Sequence, residues 1–265
     1  MVARALSPQS NYNTEFHQTL IMSRTILALL FTLALAACNK PTQKSQSRPI
    51  AAVDPATAAT ITGTVHFEGA VPAAAKIDMS NDPDCGAKLA SSENLIGDRG
   101  NLSNVFVYVK GGLGDRGFAA PQTPATIDQR GCRYVPHVLG VMIGQPVQIL
   151  NSDSTTHNVH PMGHANHQWN ASQLPNSQPL TKTFTEPEIM LPIHCNQHPW
   201  MHMYLNVVSN PFYAVTGSDG RFELKGLPPG DYTIAAVHEQ LGEQTMKVTV
   251  GPKETKQSDF TFQSK

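Results

Sequence analysis

The feature that most narrows the fold of this chain is its punctuation. It holds 19 glycines and 20 prolines, and most of them fall between short apolar runs. Short runs separated by Gly and Pro are the mark of strands joined by turns. The sequence therefore predicts an all-β protein. A chain of 265 residues that is 40% hydrophobic has enough apolar material for one large β domain or two small ones. The formal net charge is only -1. Nucleic-acid binding needs a concentrated basic face, so no nucleic-acid partner is expected.

The first 60 residues read as an address and a tether. Arg24 after Met22 supplies a positive start, and Ile26 to Leu35 form an apolar core. That core is too short to cross a membrane as a helix and the right length for a secretion signal. It ends in Leu35-Ala36-Ala37-Cys38, which resembles a bacterial lipobox, whose cysteine is acylated and becomes the first mature residue. An ordinary secretion signal cut nearby is the alternative. Residue 39 is Asn rather than Asp, and the resemblance then implies an outer-membrane destination. The expected location is the cell envelope, lipid-anchored through Cys38 and facing the periplasm. Residues 1–21 do not resemble a signal's charged start, so Met22 is read as the true start. Residues 38–59, rich in Pro, Ala, Ser, Thr, Lys and Gln, form a flexible tether. It spans roughly 25 Å on average at ~5–6 Å × √n.

Of the other cysteines, Cys85 and Cys132 are expected to pair, because disulfides persist in an oxidising envelope. The bridge would close a loop of roughly 50 residues and contribute about 4 kcal/mol in the chain-entropy account. Two buried free thiols are the alternative reading.

The chemistry concentrates later in the chain. Seven of the 11 histidines lie between His157 and His202. The segment Cys195-Asn196-Gln197-His198-Pro199-Trp200-Met201 places a thiol, an imidazole and a thioether on one tight loop. Upstream, His157 follows the strand-like run Gln145 to Asn151. Thiolate and thioether are soft ligands that suit Cu(I), while imidazole suits both copper oxidation states. Two His, one Cys and a weak axial Met make the blue-copper set. Other metal chemistries fit less well. Structural zinc takes cysteine pairs at C-x₂₋₄-C, a dinuclear copper centre takes two cysteines in the loop, and a metallo-hydrolase takes an H-E-x-x-H helix. None of these patterns occurs in the sequence.

His157-Asn158-Val159-His160 and Cys195-x-x-His198-Pro199-x-Met201, with the strand pattern Val138 to Val147, resemble the cupredoxin family, and the loop length is closest to amicyanin. The resemblance covers roughly residues 125–208. It implies a Greek-key β-sandwich holding one type 1 copper ion through His157, Cys195, His198 and Met201. Met203 is near enough to compete for the axial role, since a longer loop spacing also occurs in that family. Asn158 is implied to brace the cysteine loop. His160, His164, His167, His194 and His202 are surplus and default to surface imidazoles, with a second metal-capture patch as the alternative. His137 is read as structural.

The C-terminal part holds Ser218-Asp219-Gly220-Arg221-Phe222 and Gly226-Leu227-Pro228-Pro229-Gly230-Asp231-Tyr232. This phrase resembles the carboxypeptidase regulatory-like, prealbumin-like β-sandwich, and says much about fold and little about function. Its usual opening strand, here Ile61-Thr62-Gly63-Thr64-Val65-His66-Phe67, lies far upstream. The expected layout is a signal in 1–37, a tether in 38–59, half a sandwich in 60–112, the cupredoxin in 113–211, and the rest of the sandwich in 212–265. The simpler alternative is a cupredoxin with extra N-terminal strands, followed by an intact C-terminal module.

The function this predicts is one-electron transfer in the envelope, without catalysis, to a redox protein partner. In that reading His198 lies near the surface as the electron's exit, and Pro199, Trp200 and Met201 form an apolar docking patch. Copper handling as a chaperone or sink, and a non-metal interaction module, are the competing readings.

Overall fold

The computed structural model describes residues 52–69, 75–86, 90–91 and 100–263. Cys38, the expected signal and most of the expected tether lie outside these residues. Among the described residues the chain is all-β apart from short 3₁₀ pieces such as Pro83–Cys85.

The strands in chain order begin with β1 (Ala59–Glu68), β2 (Lys76–Ile77), β3 (Ala90–Ser91) and β4 (Phe106–Gly111). A middle group follows: β5 (Ala125–Gln129), β6 (Tyr134–Val135), β7 (Val138–Met142), β8 (Val147–Asn151), β9 (His157–Pro161), β10 (Ala171–Gln173), β11 (Leu180–Lys182), β12 (Glu188–His194) and β13 (His202–Val208). The last group is β14 (Tyr213–Val215), β15 (Arg221–Leu227), β16 (Gly230–His238), β17 (Gly242–Val250), β18 (Thr255–Gln257) and β19 (Phe260–Gln263).

The first and last groups interleave. β1 pairs antiparallel with β15 on one side and parallel with β18 and β19 on the other. β4 lies between β14 and β16, and β17 completes that sheet. The two sheets enclose one core, which includes Ile61, Val65, Phe67, Val107, Leu224, Ile234 and Phe262. In β1 the buried and half-buried residues alternate as the pleat requires. The Asp219-Gly220 turn opens β15, and Gly220 takes φ 67°, with the Val65 carbonyl 2.6 Å from where a Cβ would stand. Only glycine fits there without strain.

The middle group forms a second sandwich. One sheet runs β10-β9-β12-β13-β7 and the other β11-β8-β5-β6. The pairs β13–β7 and β5–β8 are parallel, so the chain crosses between sheets rather than running as hairpins. The core between them holds Ile127, Tyr134, Val141, Ile149, Leu191, Ile193, Met203 and Leu205.

A third apolar cluster joins the two sandwiches. It contains Phe106 and Tyr108 of β4, Ala235 and Val237 of β16, Val138 of β7 and Val208. This explains why Phe106-Val107-Tyr108-Val109 and Ile234-Ala235-Ala236-Val237 are continuous apolar runs rather than alternating ones. These strands are buried on both faces. At Gly140 of β7 a Cβ would stand 2.6 Å from the rings of Phe106 and Tyr213, so the seam closes on the missing side chain.

Candidate metal centre

Three of the predicted residues meet at one end of the second sandwich. His157 opens β9, Cys195 follows β12, and His198 stands three residues on. All three are buried, His157 completely. His157 Nδ1 lies 2.9 Å from His198 Nδ1, and Cys195 Sγ lies 3.7 Å from that same His198 Nδ1. The loop closes on itself through backbone bonds: Cys195 N–H donates to the Met201 carbonyl and Met201 N–H to that of His198. This is why Cys195 and His198 are neighbours with no help from distant sequence. Met201 is buried in the same core as Cys195, and so is Met203.

Asn158 ties the strand to the loop. Its Oδ1 accepts from Asn196 N–H at 2.8 Å and from the Cys195 thiol at 3.4 Å, and its Nδ2 donates to Asn170. The Tyr134 hydroxyl donates to the Asn158 carbonyl. Burial, and then the nearby Cys195 sulfur, push the Tyr134 phenol well above its ordinary range, so it stays a donor.

Both imidazoles are held from behind by carboxylates. His157 Nε2–H donates to Asp153 Oδ2 at 2.8 Å, and His198 Nε2–H donates to Asp82 Oδ2 at 2.8 Å. Asp153 also accepts from Gly131 N–H and Cys132 N–H. Asp82 caps the 3₁₀ turn through Asp84 N–H and accepts from the Thr155 hydroxyl. The hydrogen bond from His198 holds the Asp82 carboxyl below the usual range. Burial lowers His157, partly offset by Asp153. With the Nε2 protons engaged in this way, both Nδ1 atoms turn lone pairs toward each other in a buried space. A carboxylate on the far nitrogen is the arrangement that orients metal-bound histidine. The donor separations suit an ion with bonds of about 2.0–2.1 Å to imidazole and about 2.3 Å to thiolate. The residues therefore fit a soft-to-borderline metal.

Cys85 and Cys132 are joined in a disulfide with 5.5 Å between their Cα atoms. The bridge stands beside the site: Asp82, Cys85 and His198 offer donor atoms within 4.8 Å of one another, and so do Cys132, Asp153 and His157.

Two expectations need correction. His198 does not itself reach solvent as expected, since only 4% of it is exposed. The segment carrying Asp82, clipped down by the disulfide, covers the edge through which an electron was expected to leave. The apolar patch is also smaller than expected. Met201 is interior, leaving Pro199 exposed and Trp200 half-buried. Trp200 packs on His198 with ring centroids 5.1 Å apart and donates its indole N–H to the Cys132 carbonyl. Asp82 and Asp153 were missed by sequence reasoning. Asp153 stands four residues before His157, a spacing that could have flagged it, whereas nothing local marks Asp82.

The remaining histidines divide. His164 and His167 are exposed. His160, His194 and His202 are half-buried side by side on neighbouring strands. His137 is buried against Glu239.

No protein-family model matches the chain, and no curated protein matches its sequence. Part of the chain is similar to several solved structures. A purple cupredoxin from Nitrosopumilus maritimus is 22% identical, with a TM-score of 0.27, over 31% of this chain and 98% of that one. An amicyanin variant in its Cu(I) form is 24% identical, with a TM-score of 0.29, over 37% of this chain and 96% of that one. A copper-containing nitrite reductase from Thermus scotoductus is 21% identical, with a TM-score of 0.32, over 35% of this chain. The chain spans only 24% of that reductase's length.

Proposed function

We propose that this protein holds one type 1 copper ion and carries single electrons. His157 Nδ1, His198 Nδ1 and Cys195 Sγ would hold the ion, with the Met201 thioether as the weak axial ligand. The observation that carries the reading is the convergence of those three donors in one buried pocket, with both imidazoles fixed from behind. Bound copper would supply a centre that changes charge by one electron. The chain's own residues hold the ligands still. Asp153 and Asp82 fix the imidazole rings, Asn158 anchors the cysteine loop, and the core around Cys195 and Met201 excludes water. A ligand cage that cannot relax keeps the cost of changing charge low. With His198 covered, the half-buried Trp200 packed against it is the route to the surface.

The wider assignment is part of the same proposal. The apolar run and Leu35-Ala36-Ala37-Cys38 support a lipid anchor at Cys38 in the outer membrane, with the globular part in the periplasm. The partner would be a redox protein meeting a small surface around Pro199 and Trp200, as suits short-lived contacts. No catalytic step is assigned. The strand interleaving favours a carboxypeptidase regulatory-like host, residues 60–112 and 212–265, with the copper-binding sandwich, residues 113–211, inserted between. The imidazoles of His160, His194 and His202 favour copper handling as the second reading.

The test is the visible spectrum of the purified protein after addition of Cu(II). An intense thiolate charge-transfer band, lost in Cys195→Ser and kept in His164→Ala, is expected. Absence of the band in correctly folded protein removes the reading. Reversible one-electron voltammetry without copper release separates carriage of electrons from delivery of copper.

A further inference from the structure

A second group of ligating side chains lies in the seam between the sandwiches. His137 follows β6, His202 opens β13, and Glu239 follows β16 of the other sandwich. His137 Nε2 is 3.1 Å from Glu239 Oε1 and His202 Nε2 is 4.0 Å from Glu239 Oε2. One ligand atom from each of the three lies within 4.8 Å of the others. Two ligands on one ion with bonds of about 2.0–2.2 Å sit about 3–3.5 Å apart, so a small inward turn of His202 brings the set to bonding distance.

Three features make this more than a hydrogen-bonded clamp. The Glu239 side chain is only 3% exposed and that of His137 4%, so a carboxylate and an imidazole are already desolvated and aimed at each other. His202 Nδ1–H donates to the Trp200 carbonyl at 3.1 Å, which leaves the Nε2 lone pair facing Glu239 and sets the tautomer a ligand needs. The Tyr204 phenol lies against the same carboxylate.

There is also a way in. The His202 side chain is 30% exposed, leaving one side of the group open to water. His194 pairs across the strands with His202 and with His160, so three imidazoles line one sheet face leading to the seam.

We propose that His137, His202 and Glu239 form a second metal site that takes one divalent ion of the Cu²⁺/Zn²⁺ class and leaves a coordination position open. Two imidazoles and one carboxylate without thiolate suit such ions, and three protein ligands with an open position is the pattern of exchangeable rather than purely structural sites. Occupancy would cross-link the two sandwiches.

The test starts from full-length protein given one equivalent of Cu(II), with the Cys195 band formed and any copper held elsewhere stripped by a chelator and gel filtration, then titrated with Zn(II) against a chromophoric chelator. One further equivalent is expected to bind. His202→Ala and Glu239→Gln are expected to weaken it at least tenfold, with the Cys195 band unchanged, while His164→Ala has no effect. If Glu239→Gln does not fold by circular dichroism, His202→Asn carries the same comparison. Absence of a further equivalent, or equal affinity in the folded variants, overturns the proposal. Should the Cys195 band itself never form, the same titration on Cys195→Ser protein still decides this site separately.

Discussion

Asp82 and His198 stand 116 residues apart and are joined by a hydrogen bond of 2.8 Å. The bond crosses from the segment between β1 and β4 to the loop between β12 and β13. It places a carboxylate behind one imidazole of the candidate metal centre, where Asp153 already stands behind the other.

Two negative charges near the site favour the more positive oxidation state. Asp82→Asn keeps the shape and removes one charge. At an effective dielectric near 20, the expected shift is roughly 1–2 kcal/mol toward the reduced form. Voltammetry should show a higher reduction potential with the thiolate band retained. An unchanged or lower potential contradicts the electrostatic role given to Asp82.

The disulfide holds the Asp82 segment down. Cys85 and Cys132 are 47 residues apart. Replacing both with Ser should cost about 4 kcal/mol of unfolding free energy, read from urea denaturation. The same variant should expose the His198 edge, seen as faster reaction with small-molecule reductants. A variant as stable as the wild type would mean the closed loop contributes nothing.

The bracing of the cysteine loop depends on one amide. Asn158→Ala leaves the Asn196 N–H without its acceptor. The expected loss is about 1–3 kcal/mol, with a weakened thiolate band, because Cys195 is then held by its backbone alone. Melting curves and the copper spectrum together check this.

The seam between the sandwiches leaves no room at Gly140. Gly140→Val puts methyl groups against the rings of Phe106 and Tyr213. Overpacking of this kind costs about 1–3 kcal/mol. The loss should be visible by denaturation, and the Cys195 site should keep its spectrum because it lies outside that cluster.

Glu188 supplies a pH dependence independent of any metal. Burial acts to raise its pKa. The hydrogen bonds from the Asn166 side chain and backbone, and from His164 N–H, together outweigh that effect and hold it below its ordinary 4.5. A depressed carboxylate stabilises the fold above the unfolded pKa, and that contribution fades as pH falls through the folded one. Glu188→Gln should therefore be less stable than wild type at neutral pH, by about 1 kcal/mol for a partly solvated group. The gap should shrink below pH 4.5. A gap that persists unchanged at low pH would show that the charge is not what matters.

The parts legible in the sequence are those set by local chemistry. Period-two runs and turn residues show an all-β chain, because pleating and turn sterics act over a few residues. The Cys195-to-Met201 spacing brings a thiol and an imidazole together, because that loop closes through its own backbone bonds. Only the tertiary structure placed Asp82 over His198 and Glu239 against His137, across 116 and 102 residues. Those contacts depend on how two sandwiches dock along β4, β7, β13 and β16. Docking is decided by the summed burial of many side chains, and no short stretch of chain encodes it. The covering of the candidate metal centre, and the second cluster in the seam, therefore belong to the fold rather than to any motif.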